Sequence, residues 1–295
     1  MTTVMKSITT LFLVFLFTEV NSQLLSAAAS TSLKIKTDTM TKGKYAGVNG
    51  IKMYYEMHGA GKPLVLIHGG GSTIETTFGK ILPLLAQHYK IIALELQGHG
   101  HTNDRDAPET FEQDADDFAA LLKQLNINNA SIFGFSNGGS TALQIAIRHP
   151  EIVNKIIIAS GAYRRDGFIP GFFDMMQHAS LDNMPQPLKD AFLKINNDTA
   201  ALRNMHDKDA ARMVAFKDWK DSDLQNIKAP ALIMSADKDV VLPEHALKMS
   251  RLIPNAELVI LPGVHGAFLG EVCTAVAGSK MPEIAVGLVK EFLEK

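Results

Sequence analysis

The sequence predicts an α/β protein with a mostly parallel central sheet. Segments dense in β-branched and aliphatic residues recur along the chain, and helical patterns separate them, which is typical of repeated βαβ units. A content of 46% hydrophobic and 20% charged residues is typical of a globular chain that buries a large core. The 295 residues exceed the usual length of one domain, but α/β folds often pass about 200 residues as a single unit. We therefore expect one core domain that carries an insertion.

The first residues indicate export. Lys6 precedes an apolar run from Ile8 to Phe17, and the small side chains up to Ser22 suit a signal peptidase. The run is shorter than the roughly 20 apolar residues that span a bilayer. We expect residues 1–22 to be a signal peptide that is removed, so that the mature protein is periplasmic or secreted and has no stable membrane anchor. An uncleaved anchor or a misassigned start is the alternative.

The mature chain is expected to begin with a flexible leader. Residues 23–44 include the Ser-, Thr- and Ala-rich stretch from Ser26 to Thr41. The α/β domain is predicted to occupy residues 45–295, and its elements follow in a regular order. We predict a hairpin over Tyr45–His58, strands over Pro63–Ile67, Ile91–Leu94, Ala130–Gly134, Lys155–Ala159, Ala231–Ser235 and Glu257–Leu261, and helices over Glu75–Gln87, Phe111–Leu125, Asn137–Arg148, Pro243–Leu252 and Pro282–Leu293.

The alternation of strand and helix patterns is interrupted at about residues 163–225. Helix-prone segments rich in Met, Asp and Asn occupy this stretch, and Pro170, Pro185 and Pro187 divide them. This pattern predicts a helical cap inserted between two sheet strands. The cap has more large apolar residues than a solvated loop needs. Most should form a small core of their own, and some should line a pocket. These residues include Phe168, Phe172, Phe173, Met175, Met176, Met205, Met213, Phe216 and Trp219.

Charge and cysteine content narrow the range of partners. The 29 basic and 31 acidic residues are dispersed along the chain, so the net charge of −2 leaves no basic patch for nucleic acid or an anionic membrane. A small-molecule partner is expected instead. Cys273 is the sole cysteine, which excludes an intramolecular disulfide, and we expect it to be a small buried hydrophobic residue.

The strongest functional motif is the pentapeptide G-x-S-x-G at Gly134–Gly138, with Ser136 at its centre. It lies where a predicted strand ends and a predicted helix begins, which is the setting that a nucleophile on a sharp turn requires. The glycines on either side let the strand and the helix approach closely. Ser136 is therefore the predicted nucleophile.

With this motif the chain resembles the α/β-hydrolase family from about Tyr45 to its C-terminus. The stretch His68–Gly71 after a core strand is similar to the oxyanion loop of that family, and Gln97–Thr102 is similar to its G-x-G turn. The resemblance implies an α/β-hydrolase fold with a mostly parallel sheet, helices on both faces and a small helical cap over the carboxyl ends of the strands.

The same resemblance assigns the groups that bind the oxyanion of the transition state. They are the backbone N–H groups of Asn137 and Gly70, with Gly71 as the less favoured alternative. The chain departs from the family at Glu95 and Gln97, where its members commonly have Asp and Arg. That departure leaves the packing of the loop open.

A serine nucleophile needs a base and an acid that orients the base. The family order of Ser, Asp, His implies that the acid lies in Ala236–Pro243 and the base in Gly263–Gly266, each after a late core strand. His265 is the predicted base, and Asp239 is preferred over Asp237 because it adjoins the Val-Val-Leu-Pro segment. Asp237 is then a turn or capping residue.

Other histidines have structural explanations. The sequence contains ten, and His88 and His245, for example, are expected on helix surfaces. The run His99–Asp104 superficially resembles the H-x-H-x-D-H zinc motif, but Asn and Asp stand where that motif needs its acid and its last histidine. A metallohydrolase is therefore disfavoured.

These residues predict a serine hydrolase that cleaves an ester, thioester or lactone through an acyl-enzyme, with an apolar acyl group of modest size. Hydrolysis of a carbon–carbon bond on the same triad is the runner-up, because the family includes that chemistry. A binding protein that keeps the hydrolase fold is a third alternative. No metal or organic cofactor is implied.

Overall fold

The computed structural model describes residues 43–295. The expected signal peptide, its cleavage site and nearly all of the leader lie outside these residues. Within the described range, no helix combines the length and apolar character needed to cross a membrane.

The described chain forms one sheet of eight strands in the order β1-β2-β4-β3-β5-β6-β7-β8. The β1–β2 and β2–β4 pairs are antiparallel, and all other pairs are parallel. Crossovers that carry helices therefore bring the carboxyl ends of β3 and β5–β8 to one edge. The strands are β1 Lys44–Val48, β2 Ile51–His58, β3 Pro63–Ile67, β4 Lys90–Leu94, β5 Ala130–Phe135, β6 Val153–Ala159, β7 Ala231–Lys238 and β8 Ala256–Val264.

The helices follow the predicted order with one difference. They are α1 Ile74–Phe78, α2 Leu82–Leu85, α3 Phe111–Gln124, α4 Asn137–Arg148, α5 Phe172–Gln177, α6 Gln186–Ile195, α7 Thr199–Val214, α8 Asp221–Gln225, α9 Pro243–Leu252 and α10 Met281–Glu294. The single helix predicted over residues 75–87 is wrong, because two short helices occupy that stretch. Pro83 lies in the first turn of α2 and has no N–H to continue a helix from Gly79.

Alternate residues of the buried strands supply two cores, one on each face of the sheet. In β3, Leu64 and Leu66 point to one face and Val65 and Ile67 to the other, and all four are fully buried. Helices α3, α4 and α9 cover one face, and α1, α2 and α10 cover the other. The hydrophobic burial on both faces holds the strands rigidly, so their ends can position functional groups.

The cap, residues 163–225, carries helices α5–α8 between β6 and β7. It buries two apolar clusters rather than one. The first is Met184, Leu188, Phe192, Leu202 and Met205, and the second joins Met213 and Phe216 to Phe111 of the core domain, with Phe168, Phe172, Phe173, Met176 and Trp219 packed around them. Met175 is instead exposed.

Cys273 is exposed, so its predicted burial is wrong. It lies beyond β8, in the irregular segment before α10. A segment without regular secondary structure has no apolar periodicity, and composition alone could not place it.

Candidate active site

Ser136 occupies a strained turn between β5 and α4. Its φ of 55° and ψ of −119° put a non-glycine residue at positive φ. A Cβ on Gly134 would lie 1.9 Å from the Gly138 oxygen, and a Cβ on Gly138 would lie 2.2 Å from the Ile67 oxygen. Only glycine fits at both positions, which is why the motif tolerates no side chain there. Ser136 is the N-cap residue of α4, and its hydroxyl makes no capping hydrogen bond to the first turn of that helix.

The loops after β7 and β8 bring an acid and a base to this serine. His265 Nε2 lies 3.0 Å from Ser136 Oγ, and His265 Nδ1 lies 2.6 Å from Asp239 Oδ1. With Asp239 ionised, Nδ1–H donates to the carboxylate, so Nε2 is free to accept from the serine hydroxyl. The structure therefore brings Ser136, His265 and Asp239 into one hydrogen-bonded chain.

The surroundings of Asp239 keep it ionised. Its carboxylate accepts hydrogen bonds from the Ser160 hydroxyl at 2.5 Å and the Val241 N–H at 3.2 Å, besides the one from His265. Burial works to raise the pKa of Asp239, but these donors outweigh it and hold the pKa below its ordinary value. An ionised carboxylate at this position orients His265 and stabilises it when it gains a proton.

Sequence reasoning missed Ser160. This residue directly follows β6 and, like Ser136, has a positive φ, of 53°. The strained conformation turns its hydroxyl toward the Asp239 carboxylate at the same sheet edge. A serine just after a buried strand, between the strands that carry nucleophile and acid, was the signal that could have identified it.

Asp237 lies in a different environment. It belongs to the end of β7, and its carboxylate accepts from the Gly263 N–H at 2.6 Å, which ties β7 to the last residues of β8. The side chain thus supports the two strands that carry the acid and base loops. In the part of the chain that the structure describes, Asp237 is not a hydrogen-bond partner of His265, which pairs with Asp239 instead.

The glycine loop after β3 crosses directly over the nucleophile. A Cβ on Gly69 would lie 3.3 Å from the Ser136 Cβ, and a Cβ on Gly70 would lie 2.5 Å from the Asn137 side-chain nitrogen. Among the described residues, no acceptor takes the N–H of Gly70 or of Asn137. Both donors are therefore available for an oxyanion, whereas Gly71 N–H already donates to the Asp209 carboxylate.

Asp209, on cap helix α7, is the second residue that sequence reasoning missed. Its Oδ2 accepts from Gly71 N–H at 2.5 Å and lies 3.0 Å from His99 Nε2, while its Oδ1 accepts from the Asn137 amide at 3.4 Å. Arg212, one turn further along α7, also donates to this carboxylate. One cap carboxylate thus connects the oxyanion loop to the residue that follows the nucleophile. No local motif marks this residue, so the sequence offered no signal for it.

Charges within this buried cluster determine the protonation states of His99 and His68. Burial lowers the pKa of His99, but the neighbouring Asp209 carboxylate reverses the effect and raises it to about 9. Burial and the nearby His99 lower the pKa of His68 to about 3. His68 is therefore neutral, with Nδ1–H donating to the Gly69 oxygen at 2.7 Å and Nε2 accepting from Leu96 N–H at 3.1 Å. Its role in the glycine loop is to hold the backbone.

Three further side chains near the loops have specific partners. His101 Nδ1 lies 2.9 Å from Glu95 Oε2, and Gln97 donates to Asp104 at 2.8 Å, so the residues that depart from the family pattern stabilise the loop internally. The surface position expected for His245 is wrong. His245 is buried and stacks on Tyr163, whose N–H it accepts at 3.3 Å, because the cap covers this face of α9.

A cavity of about 260 Å³ opens beside Ser136, between the glycine loop and the cap. Most of its side chains are apolar, and they come from α5, α6 and α7 and the segment between α5 and α6. Among the described residues that line it there is no lysine or arginine. Its lining side chains include Phe172, Met176, Met184, Leu188, His206 and Met213.

Comparisons with known proteins agree on the family. A model of the alpha/beta hydrolase fold matches residues 62–187. Human serine hydrolase BPHL is 31% identical over 248 residues, which cover 78% of this chain and 82% of that protein. A 2-hydroxy-6-oxo-6-(2'-aminophenyl)hexa-2,4-dienoic acid hydrolase from Metapseudomonas resinovorans is 31% identical over 130 residues, which cover 43% of this chain and 45% of that protein.

Solved structures agree as well. A serine hydrolase involved in carbazole degradation aligns with a TM-score of 0.70 at 24% identity, over 86% of this chain and 98% of its own. The chain therefore belongs to the α/β-hydrolase fold family, and it is a hydrolase of that fold.

Proposed function

We propose that the protein is a serine hydrolase that cleaves a carboxylic ester, thioester or lactone, with Ser136 as nucleophile, His265 as base and Asp239 as the orienting acid. The observation that carries the proposal is the continuous hydrogen-bonded chain from Ser136 Oγ through His265 to Asp239, at 3.0 Å and 2.6 Å. A serine hydroxyl becomes a useful nucleophile when an oriented base accepts its proton.

The steps follow from the geometry. Ser136 Oγ attacks the acyl carbon while His265 Nε2 takes the hydroxyl proton, and the ionised Asp239 stabilises the imidazolium that forms. The developing oxyanion accepts from the N–H groups of Gly70 and Asn137. His265 then delivers the proton to the leaving group, which departs and leaves an acyl-enzyme. Water, activated by the same histidine, releases the acid and restores the serine.

The cavity supports a neutral, mainly apolar acyl group. Phe172, Met176 and Leu188 provide apolar surface beside the nucleophile, and about 260 Å³ limits the group to modest size. A substrate carboxylate would find no cationic lysine or arginine among the lining residues and would face the Asp209 carboxylate. Burying such an anion without a partner is costly.

Carbon–carbon bond hydrolysis is the second candidate, and one observation favours it. The relative from Metapseudomonas resinovorans is a hydrolase of a dienoic acid, and the match to it covers 43% of this chain. The described residues that line the cavity include no lysine or arginine, which argues against an acid as the substrate here. Assaying a neutral ester panel beside a 2-hydroxy-6-oxo-dienoic acid separates the two candidates.

The test of the triad uses a fluorophosphonate probe together with p-nitrophenyl esters. We expect the probe to label Ser136 and to abolish hydrolysis of p-nitrophenyl butyrate. Ser136→Ala should remove both labelling and turnover, whereas Ser140→Ala, a serine one helical turn further along α4, should remain active. Continued labelling of Ser136→Ala, or at most one equivalent of p-nitrophenol from the native protein, would refute an enzymatic role for this serine.

We also propose that the protein acts outside the cytoplasm. The support is the short apolar run from Ile8 to Phe17 with small residues up to Ser22. Intact-mass measurement of protein recovered from the producing cell should give a chain that begins near Gln23. A soluble cytoplasmic species that begins at Met1 would count against export.

A further inference from the structure

One polar side chain of the cavity beside Ser136 has no role in the proposed hydrolysis. His206 lines this cavity from α7, together with Asp209, Ala210 and Met213 of the same helix. These residues are three, four and seven positions beyond His206, and residues at such spacings lie on one side of a helix. The side of α7 that carries His206 therefore faces the cavity.

One nitrogen of the His206 ring is free to bind a ligand. Nδ1 lies 2.8 Å from the Asp207 carboxylate, so Nδ1–H donates to that carboxylate and Nε2 is left to accept. Nε2 has no hydrogen-bond partner within residues 43–295. The side chain is 10% exposed, and the described chain does not enclose Nε2, so a molecule in the cavity can reach this nitrogen.

The other polar side chains of the cavity are already hydrogen-bonded or exposed to water. Asp209 accepts from the Asn137 amide at the end that adjoins the nucleophile. Asn183 is exposed, and its Oδ1 accepts from the Ser180 N–H at 3.0 Å. Among the described residues that line the cavity, His206 is therefore the side chain whose hydrogen-bonding capacity a substrate is best placed to use.

The position of His206 indicates which part of the substrate it meets. It precedes Asp209 by three residues, about one helical turn, and Asp209 is the residue that contacts the glycine loop. The adjacent Met205 packs in one cluster with Met184 and Leu188, which line the apolar part of the cavity. His206 thus lies beside the expected path of the acyl chain and away from the oxyanion donors.

A hydroxyl on the acyl chain suits Nε2 best. It donates to Nε2 of the neutral ring, and it accepts from Nε2–H when the ring is protonated. A methyl group at the same place would cover Nε2 without pairing it, which is costly. A carboxylate would be repelled by Asp207 and Asp209. An ammonium would find Asp209 already paired with Arg212 and His99.

We propose that His206 determines specificity by hydrogen-bonding a hydroxyl on the acyl group of the substrate. The proposal rests on the hydrolysis proposed for Ser136, and it makes the intermediate a hydroxyacyl ester of that serine. A lactone reaches this intermediate when Ser136 Oγ bonds to the acyl carbon and the ring C–O bond breaks. The serine proton passes through His265 to the ring oxygen, which stays on the acyl chain as the hydroxyl. An open-chain hydroxy ester gives the same intermediate.

Two esters that differ in one group test the role of His206. Methyl 6-hydroxyhexanoate carries a hydroxyl where methyl heptanoate carries a methyl group. His206→Leu should lower the ratio of kcat/KM for the hydroxy ester over the heptanoate about tenfold or more, because the hydroxyl loses its partner and the methyl group gains apolar surface.

Two further variants distinguish hydrogen bonding from packing. His206→Gln keeps a donor and an acceptor at similar reach and should hold this ratio within about threefold of the native value. His178→Leu changes another cap histidine, which does not line the cavity, and should leave the ratio unchanged. A ratio as low in His206→Gln as in His206→Leu would overturn the hydrogen-bonding role.

The source of the hydroxyl is identified by a third substrate. ε-Caprolactone opens to the same 6-hydroxyhexanoyl ester of Ser136, so a higher kcat/KM for the lactone than for methyl 6-hydroxyhexanoate identifies a lactonase, and the reverse identifies an esterase. Faster native hydrolysis of methyl 6-aminohexanoate or monomethyl adipate than of the hydroxy ester would overturn the choice of a hydroxyl. This comparison needs no variant to fold.

Binding measurements separate this proposal from the proposed hydrolysis. Ser136→Ala should bind both methyl esters without turnover, and adding His206→Leu should lower their affinity ratio about tenfold in ligand-observed NMR titrations. An affinity ratio that depends on His206 in a native protein that hydrolyses no ester would refute the hydrolysis alone. Ratios unchanged by His206→Leu in both turnover and binding would overturn the role of His206 alone.

Discussion

The two buried polar clusters of this protein are built in contrasting ways. The triad, Ser136, His265 and Asp239, lies at the ends of strands β5, β8 and β7, and each of its groups has hydrogen-bond partners of suitable geometry. The cluster around Arg212 lies between cap and core and crowds Asp209, Asp114 and Glu109 around one guanidinium, with Glu109 left without hydrogen bonds. The comparison indicates that the sheet positions the three groups that we propose to react, whereas the cap cluster joins α7 to the glycine loop after β3 and leaves buried polar groups unpaired.

Sequence separation does not explain the difference. Ser136 and His265 are 129 positions apart, and Asp209 and Gly71 are 138 apart. The three residues of the proposed triad can be predicted from the sequence because parallel strands bring their carboxyl ends to one edge of the sheet. Residues that directly follow such strands are therefore expected to lie close together. The neighbours of Asp209 depend on how α7 docks, and no periodicity in the sequence specifies that.

The largest effect should come from breaking the triad at its acid. Asp239→Asn keeps the shape but loses the charge that fixes the His265 tautomer, so kcat should fall about 10⁴-fold. The matched control, Asp237→Asn, alters a strand-end contact to Gly263 N–H and should cost less than about tenfold. Steady-state kinetics with p-nitrophenyl butyrate measures both, and a reversal of the two losses would assign the acid to Asp237.

The cap cluster should have a smaller but specific effect on catalysis. Asp209→Asn removes the charge that pairs with Arg212 and His99 and loosens the hold on Gly71 N–H, so kcat should fall on the order of 10- to 100-fold with little change in KM. Asp207→Asn, on the same helix but with a side chain 59% exposed, serves as control. An unchanged kcat in folded Asp209→Asn would show that the oxyanion loop holds its geometry without the cap.

Acyl-chain preference should respond to the cap cavity more modestly. Met176→Ala enlarges the cavity beside Ser136, so the ratio of kcat/KM for longer over shorter acyl esters should rise by about tenfold. The neighbouring Met175 is 51% exposed and does not line the cavity, so Met175→Ala should leave the ratio unchanged. Equal ratios in the two variants would mean that the acyl group does not reach α5.

The smallest expected effect is on stability and concerns the cap cluster alone. The pKa of His99 is raised to about 9, so its stabilising charge is fully present below about pH 6.5 and is lost as pH rises through 9. The pKa of Glu109 is raised from 4.5 to about 8, so stability is lost as pH rises from about 4.5 to 8, where the unfolded chain is ionised and the folded chain keeps its proton. Both effects lower the free energy of unfolding as pH rises, and the thermal midpoint should fall by a few degrees between pH 6.5 and 9.

A pair of variants separates the contribution of Glu109 from the loss of thermal stability that other groups cause at alkaline pH. Glu109→Gln cannot ionise, so the fall in midpoint should shrink, whereas Glu112→Gln should show the native fall. Scanning calorimetry at the two pH values gives the midpoints. A fall of native size in Glu109→Gln would mean that folding does not raise the pKa of Glu109.

The sequence by itself determined the α/β architecture and the positions of the main candidate site residues. Alternating strand and helix patterns predicted the α/β architecture, which the fold and the comparisons confirm. The strand-to-helix setting of the pentapeptide predicted Ser136, and the positions after late strands predicted Asp239 and His265. The structure joins these three residues in one hydrogen-bonded chain, from Ser136 to His265 and from His265 to Asp239. These inferences work because period, turn chemistry and strand ends are local properties that a linear pattern records.

Only the tertiary structure decided the rest. Four features depend on which surfaces of the folded chain meet. They are the hydrogen bond from Ser160 to Asp239, the hydrogen bond from the glycine loop to Asp209, the burial of His245 and the exposure of Cys273. A helix pattern specifies which face is apolar, but it does not specify the partner or the rotation at which polar groups on the two elements meet. The partners of a buried charge are therefore decided when the cap packs on the core, because desolvation makes an unpaired charge costly there.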